Sequence, residues 1–166
     1  KAFVNTRLAD TWEEDYAAAV SADGLMAKRL AYESGTCPDG VVLLTCGVDV
    51  QDNRLAMSVW GWGEGETGWM IWHQELMGDP TQTEVWAQLD QVLVTEWATA
   101  GGKSLKVSQV AVDSGGHCTH EVYRYVRDRV RQNVVAIKGS SRRNSPAVGK
   151  GNKVDVSWQG RVLKRG

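Results

Sequence analysis

The chain has 166 residues, 42% hydrophobic and 23% charged, with a formal net charge of −1. That length is one domain's worth with room for a real core, and the composition excludes a disordered or collagen-like chain. No apolar run approaches the ~20 residues that span a bilayer, no signal peptide is visible at Lys1, and three cysteines without a CxxC pair indicate neither a disulfide framework nor a zinc cage.

The near-zero net charge conceals a split. Residues 1–100 carry 5 Lys+Arg against 16 Asp+Glu, a net of −11, and residues 101–166 carry 14 against 4, a net of +10. Such asymmetry points to a polyanionic partner, or to two oppositely charged faces that pair with each other.

In chain order, residues 10–34 read as helical. Asp10 or Thr11 can cap, and Glu13, Glu14 and Asp15 favour the first turn. Gly24 is expected to break this segment, with Leu25, Leu30 and Tyr32 continuing it. The Gly/Pro cluster of residues 34–40 opens a separate unit. Residues 41–50 form a nearly unbroken apolar run, expected as a central strand buried on both faces. Residues 54–62 and 69–77 are two further strands, and the short turns between them predict antiparallel hairpins.

Thr81 and Glu84 have capping-box spacing, with a helical stripe of Val85, Leu89, Val92, Leu93 and Trp97 running to about residue 100. Then follow a strand at 105–112, a basic helix at 117–131 and a strand at 134–137. Residues 139–152 read as a Ser/Arg/Gly-rich loop, and residues 154–158 and 161–164 as a terminal hairpin. Three antiparallel strands followed by alternating helices and strands predict a mixed α/β sheet with flanking helices. The ribonuclease H-like fold has this order.

Two acids stand out. Asp49 ends the apolar run Leu43-Leu44-Thr45-Cys46-Gly47-Val48, and Asp113 ends the run Val110-Ala111-Val112 before Ser114-Gly115-Gly116. Each alone fits a turn or helix cap. Taken together they are two strand ends of one sheet, and if those strands are neighbours both carboxylates converge. Hard cations such as Mg²⁺ or Mn²⁺ take such oxygen ligands, and a two-metal site clamps the attacking and leaving oxygens of a phosphoryl transfer. His117 lies close enough to Asp113 in sequence to contact phosphate or water there. Arg124, Arg127, Lys138, Arg142, Arg143 and Lys150 follow Asp113 and suit phosphate-backbone contacts. The eight tryptophans read mainly as core. Lys103-Ser104 after Gly101-Gly102 is no phosphate-binding loop, because Trp97 stands where its first glycine belongs.

The segments Phe3–Trp12 and Thr45–Arg54, together with Gly61-Trp62-Gly63, Gly78-Asp79-Pro80, Asp113–His117 and Ile137-Lys138-Gly139, resemble phage terminase large subunits of the lambda-like GpA family. The similarity runs in order along nearly the whole chain. It implies the C-terminal nuclease part of that family, residues 37–166 being a ribonuclease H-like core and residues 1–36 a lead-in from an ATPase. It implies catalytic and metal-binding roles for Asp49 and Asp113, and two Mg²⁺ or Mn²⁺ ions. The implied partners are double-stranded concatemeric DNA, the small terminase subunit and the portal, with no membrane. The implied location is the host cytoplasm, at the procapsid. The family's third metal-binding acid is expected on a helix beyond Gly166. Glu75 and Asp155 are the local substitutes.

These readings converge on a metal-dependent DNA endonuclease. The alternatives are a non-catalytic DNA-binding or docking module of the packaging motor, or another ribonuclease H-like nuclease of resolvase or transposase type.

Overall fold

A computed structural model describes residues 22–27, 29–142, 144–146, 148–151, 156–158 and 161–164. The chain divides into two units, Lys1–Tyr32 and Glu33–Gly166. In the first, α1 (Ala22–Ala27) runs through Gly24 instead of breaking there, and residues 29–33 are not helical. The expected helix of residues 10–21 lies outside the described residues.

The second unit is built on a five-stranded sheet. Its first three strands are β2 (Leu43–Val50), β3 (Arg54–Trp62) and β4 (Gly68–Met77), joined as the two antiparallel hairpins that the short turns predict; a two-residue strand, β1 (Thr36–Cys37), precedes them. Helix α2 (Thr83–Leu93) is followed by β5 (Trp97–Thr99), β6 (Ser104–Leu105) and β7 (Val107–Asp113). Helix α3 (Thr119–Arg127) then leads to β8 (Val134–Ile137), and β9 (Val156–Trp158) pairs with β10 (Arg161–Lys164) in the expected hairpin. The large sheet has the order β4-β3-β2-β7-β8, with β2, β7 and β8 mutually parallel. This is the mixed, ribonuclease H-like arrangement expected from the element order.

Several local expectations are corrected. Strand β2 is buried on one face, not both: Leu44, Cys46 and Val48 are buried, whereas Leu43, Gly47 and Asp49 are exposed. No capping box forms at α2. The Asp79 carboxylate accepts the Thr81 N–H at 2.8 Å, and this tight turn delays the helix to Thr83; Gln82 at its cap makes no capping hydrogen bond, its side chain donating instead to Thr81 Oγ1 at 3.2 Å. The helix also stops at Leu93 instead of residue 100. Trp97 lies on β5, which pairs with β1 and β6 in a separate small sheet, and it packs on Trp72 with ring centroids 6.0 Å apart. Distant pairing with residues 36–37 outweighs the local helical spacing. The basic helix is likewise shorter than residues 117–131. It ends at Arg127, and a 3-10 turn (Val130–Gln132) leads to Asn133 in the left-handed region at φ 57°.

The core lies between one face of the large sheet and the two helices. Leu44, Cys46, Val48, Leu55, Met57, Val110, Val112 and Val134 meet Val85, Trp86 and Leu89 of α2 and Val122 and Tyr125 of α3. Trp86 and Tyr125 join the helices, ring centroids 4.6 Å apart. Arg129 lies over the Tyr125 ring at 3.9 Å, and its Nε donates to Asp90 Oδ1 at 2.7 Å. Among the described residues no helix is long and apolar enough to cross a membrane.

Candidate active site

The opposite face of the large sheet is open among the described residues, and the strand-end acids lie on it. Strands β2 and β7 are adjacent and parallel, with Val48 beside Val112; the next residue along each is Asp49 and Asp113. Asp49 also pairs with Ala56 on β3, Ala56 with Glu75 on β4, and Asp113 with Ile137 on β8. Cross-strand partners share a face, so Glu75, Ala56, Asp49, Asp113 and Ile137 form one row across the sheet. Neighbouring strands are about 4.8 Å apart. The two aspartates are therefore direct neighbours, and Glu75 is two strands removed from Asp49.

Asp49 is exposed and Asp113 half-buried. Gln51 Nε2 donates to Asp49 Oδ2 at 2.8 Å, and the Gly115 N–H donates to Asp113 Oδ1 at 2.9 Å. One oxygen of each carboxylate is thus oriented by its own turn, and the other has no hydrogen-bond partner among the described residues. Gly115 has a packing reason: a Cβ there would come within 3.2 Å of Asp113 Oδ1. Ser114 is buried and its hydroxyl donates to the Ile137 carbonyl at 2.9 Å, tying the turn after β7 to the end of β8. It does not cap α3. Thr119 Oγ1 reaches the Ser114 and Gly116 carbonyls at 2.8 and 2.7 Å and closes the same turn.

At the start of α3, burial, then the charges of Glu121, Asp79 and Asp52, push the Cys118 thiol up from its ordinary range. Two hard carboxylate oxygen donors on adjacent strands fit a divalent cation better than a soft metal. Among the described residues, however, no group of three or more His, Cys, Asp or Glu side chains is placed to hold a metal.

The other predicted residues fall in different places. Glu75 is on the same row but engages Arg54, Nε to Oε1 3.3 Å. His117 is exposed in the turn after Asp113. Lys138 directly follows Ile137, the β8 partner of Asp113, and Arg142 and Lys150 are exposed on the segment that leaves this end. Arg124 and Arg127 are exposed on α3, in the helix layer on the other side of the sheet, so the fold does not gather them around the carboxylates. Arg143 and Asp155 lie outside the described residues. A cleft of about 680 Å³ is also on the helix side, lined by Asp90, Leu93, Val94, Val107, Asp128 and Arg129 among others.

Sequence reasoning missed the second row of the open face. His73, Ser58, Gly47, Ala111 and Val135 pair in succession across the same five strands, one step from the carboxylates. Ser58 Oγ and His73 Nδ1 are 2.9 Å apart. Beyond them Trp60 and Trp62, both exposed, stack at 6.2 Å, and Trp62 Nε1 donates to Thr45 Oγ1 at 2.8 Å. Alternation along the strands was the available signal, had the run at residues 41–50 been read as half-buried.

Residues 1–166 match the family model described as terminase large subunit gpA, endonuclease domain. The chain belongs to that family. Two relatives of this endonuclease domain are the terminase large subunits of Escherichia phage lambda and Enterobacteria phage P21. The first is 35% identical over 141 residues, covering 85% of this chain and 22% of the relative. The second is 34% identical over 148 residues, covering 89% of this chain and 23% of the relative. The chain thus spans less than a quarter of the length of either. No solved structure matches it.

Proposed function

We propose that this terminase endonuclease domain is a divalent-metal-dependent DNA nuclease that cuts concatemeric double-stranded DNA during phage packaging. The observation that carries the reading is the placement of Asp49 and Asp113 side by side at the ends of neighbouring parallel strands, on an open face. Asp49 and Asp113 are the residues that would hold two Mg²⁺ or Mn²⁺ ions. Such ions supply Lewis acidity, both to activate water and to stabilise charge on the leaving oxygen of a phosphodiester.

The chain's own residues do the rest. Gln51 and the Gly115 N–H orient the two carboxylates. Among the described residues the carboxylates lie on the sheet face opposite the helix layer. Lys138, Arg142 and Lys150, on the segment leaving the carboxylate end, offset the repulsion between a negative site and DNA; Arg143, Arg124 and Arg127 are further candidates for backbone contacts. His117 is a candidate for contact with phosphate or water beside Asp113.

The wider setting belongs to the same proposal. The partners are double-stranded DNA, a small terminase subunit and a portal, and the place of action is the host cytoplasm at the procapsid. Residues 37–166 form the nuclease core, and residues 1–36 lead in from an ATPase. Among the described residues two carboxylates converge and no third joins them, which favours one second reading, a DNA-binding or docking module without catalysis.

A plasmid-nicking assay with Mn²⁺ separates the two. Wild-type chain is expected to nick and Asp49→Asn to lose nicking by at least about a hundredfold, in line with removal of a group that acts at the transition state. Equal cleavage by Asp49→Asn overturns the assignment. Binding of DNA with no cleavage at any Mn²⁺ concentration selects the second reading.

A further inference from the structure

The second row of the open face has a feature that packing does not explain. Gly47 sits in the middle of the central strand of the large sheet, is exposed, and has negative φ. A Cβ built on it meets nothing within 4 Å. Neither a turn, a close contact nor backbone strain requires glycine there, and glycine weakens a strand interior. Glycine inside a strand marks a bulge, a bend, or the close approach of another backbone or a ligand. Gly47 is in regular register with both Ser58 and Ala111, the irregularity of the β2–β7 pairing being at Leu44/Thr45, and no backbone of the described residues approaches it, which leaves the ligand. Its β7 neighbour is Ala111, so two adjacent strands present a bare floor.

Polar groups stand on one side of that floor. Ser58 on β3 is the cross-strand partner of Gly47, and His73 on β4 is the partner of Ser58. Their side chains are joined, Oγ to Nδ1 2.9 Å, and His73 Nε2 has no partner among the described residues. A protein segment covering this face would favour bulky apolar residues at the floor. Small residues beside two hydrogen-bonding groups suit an oxygen-rich ligand instead.

The floor is one step from the proposed metal site. Gly47 and Asp49 are two residues apart on one face of β2, and Ala111 and Asp113 are likewise on β7. Two residues of strand span roughly 6.7 Å. That is comparable to the separation of successive phosphates on a DNA strand, whose path is longer than its axial rise of about 3.4 Å per nucleotide. A strand whose scissile phosphate lies at Asp49 and Asp113 would place a neighbouring phosphate over Gly47.

We infer that Gly47 and Ala111 form the floor, and Ser58 and His73 the hydrogen-bonding wall, of a seat for the DNA phosphate next to the scissile one. The inference rests on the reading of Asp49 and Asp113 as the cleavage site. Ser58 and His73 are positioning residues. They take no part in bond breaking, and set which phosphodiester faces the carboxylates.

The test uses the 166-residue chain and a short DNA duplex. Gly47→Val fills the floor with a residue that strands favour, so its unfolding midpoint and its Mn²⁺ binding should equal or exceed those of wild type. Its kcat/KM on duplex DNA should fall about tenfold or more, chiefly through KM, as expected for loss of ground-state positioning. Ser58→Ala and His73→Ala should fall several-fold, with partial recovery in His73→Gln. Independently of turnover, the His73 imidazole NMR signals should shift when the duplex is added with Ca²⁺, and Ser58→Ala should diminish that shift.

Imidazole signals unmoved at saturating duplex, or a Gly47→Val protein that binds and cuts as wild type does, overturn the inference. Either result points to a face covered by protein. Asp49→Asn judges the cleavage site separately. If it cuts normally while Gly47→Val does not, the metal-site reading fails and with it the placement beside the scissile phosphate, and the floor is left as a DNA contact alone. If Asp49→Asn is inactive while Gly47→Val cuts as wild type, the seat fails and the metal-site reading stands.

Discussion

At the carboxylate end, isosteric substitution separates the structural contacts of a side chain from the cleavage role proposed for it. Asp113 accepts the Gly115 N–H at 2.9 Å and shapes the turn into α3. Asparagine keeps that acceptor and removes the charge; alanine removes both. Asp113→Asn is therefore expected to unfold at the wild-type denaturant midpoint yet lose cleavage, whereas Asp113→Ala should lose cleavage and about 0.5–2 kcal/mol of stability, as when a capping acceptor is lost. Buried groups below the sheet give the molecule a pH limit. Burial pushes the Cys46 thiol up to about 12 from its ordinary 9.0. Burial, then the hydrogen bond to Asp90, raises the Tyr125 hydroxyl as well. Both groups hold their protons more tightly when folded, so their contribution is intact below the unfolded values and is lost as pH rises through the folded ones. Thermal melts should thus lose stability progressively above about pH 9, and Cys46→Ala should flatten the decline between about pH 9 and 12.

At the level of elements, each connection depends on specific contacts. Strand β3 is followed by Gly63, where an added Cβ would lie 2.5 Å from the Gly40 carbonyl and 2.9 Å from the Trp69 ring. A backbone oxygen cannot move aside cheaply. Gly63→Ala should cost about 1–3 kcal/mol by urea denaturation, while Gly47→Ala, in open space on the same sheet, should be neutral or stabilising by about 0.5–1 kcal/mol. Helices α2 and α3 are joined on the core side by Asp90, Tyr125 and Arg129: the Tyr125 hydroxyl donates to Asp90 Oδ1 at 2.8 Å, and Arg129 Nε to the same oxygen at 2.7 Å. The Asp90 hydrogen bond also raises the Arg129 pKa. Arg129→Ala leaves a half-buried carboxylate without its cation and is expected to destabilise by about 1–3 kcal/mol. Because this brace is in the helix layer, Mn²⁺ binding at the carboxylate end should be unchanged.

Across the whole molecule, the split in charge acquires a direction. The net −11 of residues 1–100 includes Asp49, and the net +10 of residues 101–166 includes Asp113 and most of the cations. The fold does not send those cations to one place. Lys138 and Arg142 lie beyond β8, on the side of Asp113, and Arg124 and Arg127 are in the helix layer. Each phosphate contact contributes about 0.9 to the slope of log K against log salt. Replacing Lys138 and Arg142 by alanine should therefore weaken DNA binding and reduce that slope by about two, measured by fluorescence anisotropy over a salt series. Replacing Arg124 and Arg127 should change it less. An equal reduction from both pairs would show that DNA reaches around the sheet edge to the helix layer.

Much of this architecture was legible before the fold was seen. The hairpins β2-β3-β4 follow from the short turns between strand-like runs, and Asp49 and Asp113 stand out as strand-end acids because an apolar run ending in a carboxylate is costly to bury unless the acid is paired or bound. Length, composition and the run of family motifs determined the class of domain, since these depend on local residue chemistry alone. Other features depend on contacts between distant residues. The pairing of residues 36–37 with Trp97–Thr99 ends α2 early, and Asp79 takes the Thr81 N–H that a capping box would have used. Only the tertiary structure decided that β2 is covered on one side, because that depends on where α2 and α3 pack. The same packing decided that Asp49, Asp113, Gly47, Ser58 and His73 share an open face. Strand order, and not sequence spacing, brings residues up to 64 positions apart onto adjacent strands at a separation of about 4.8 Å.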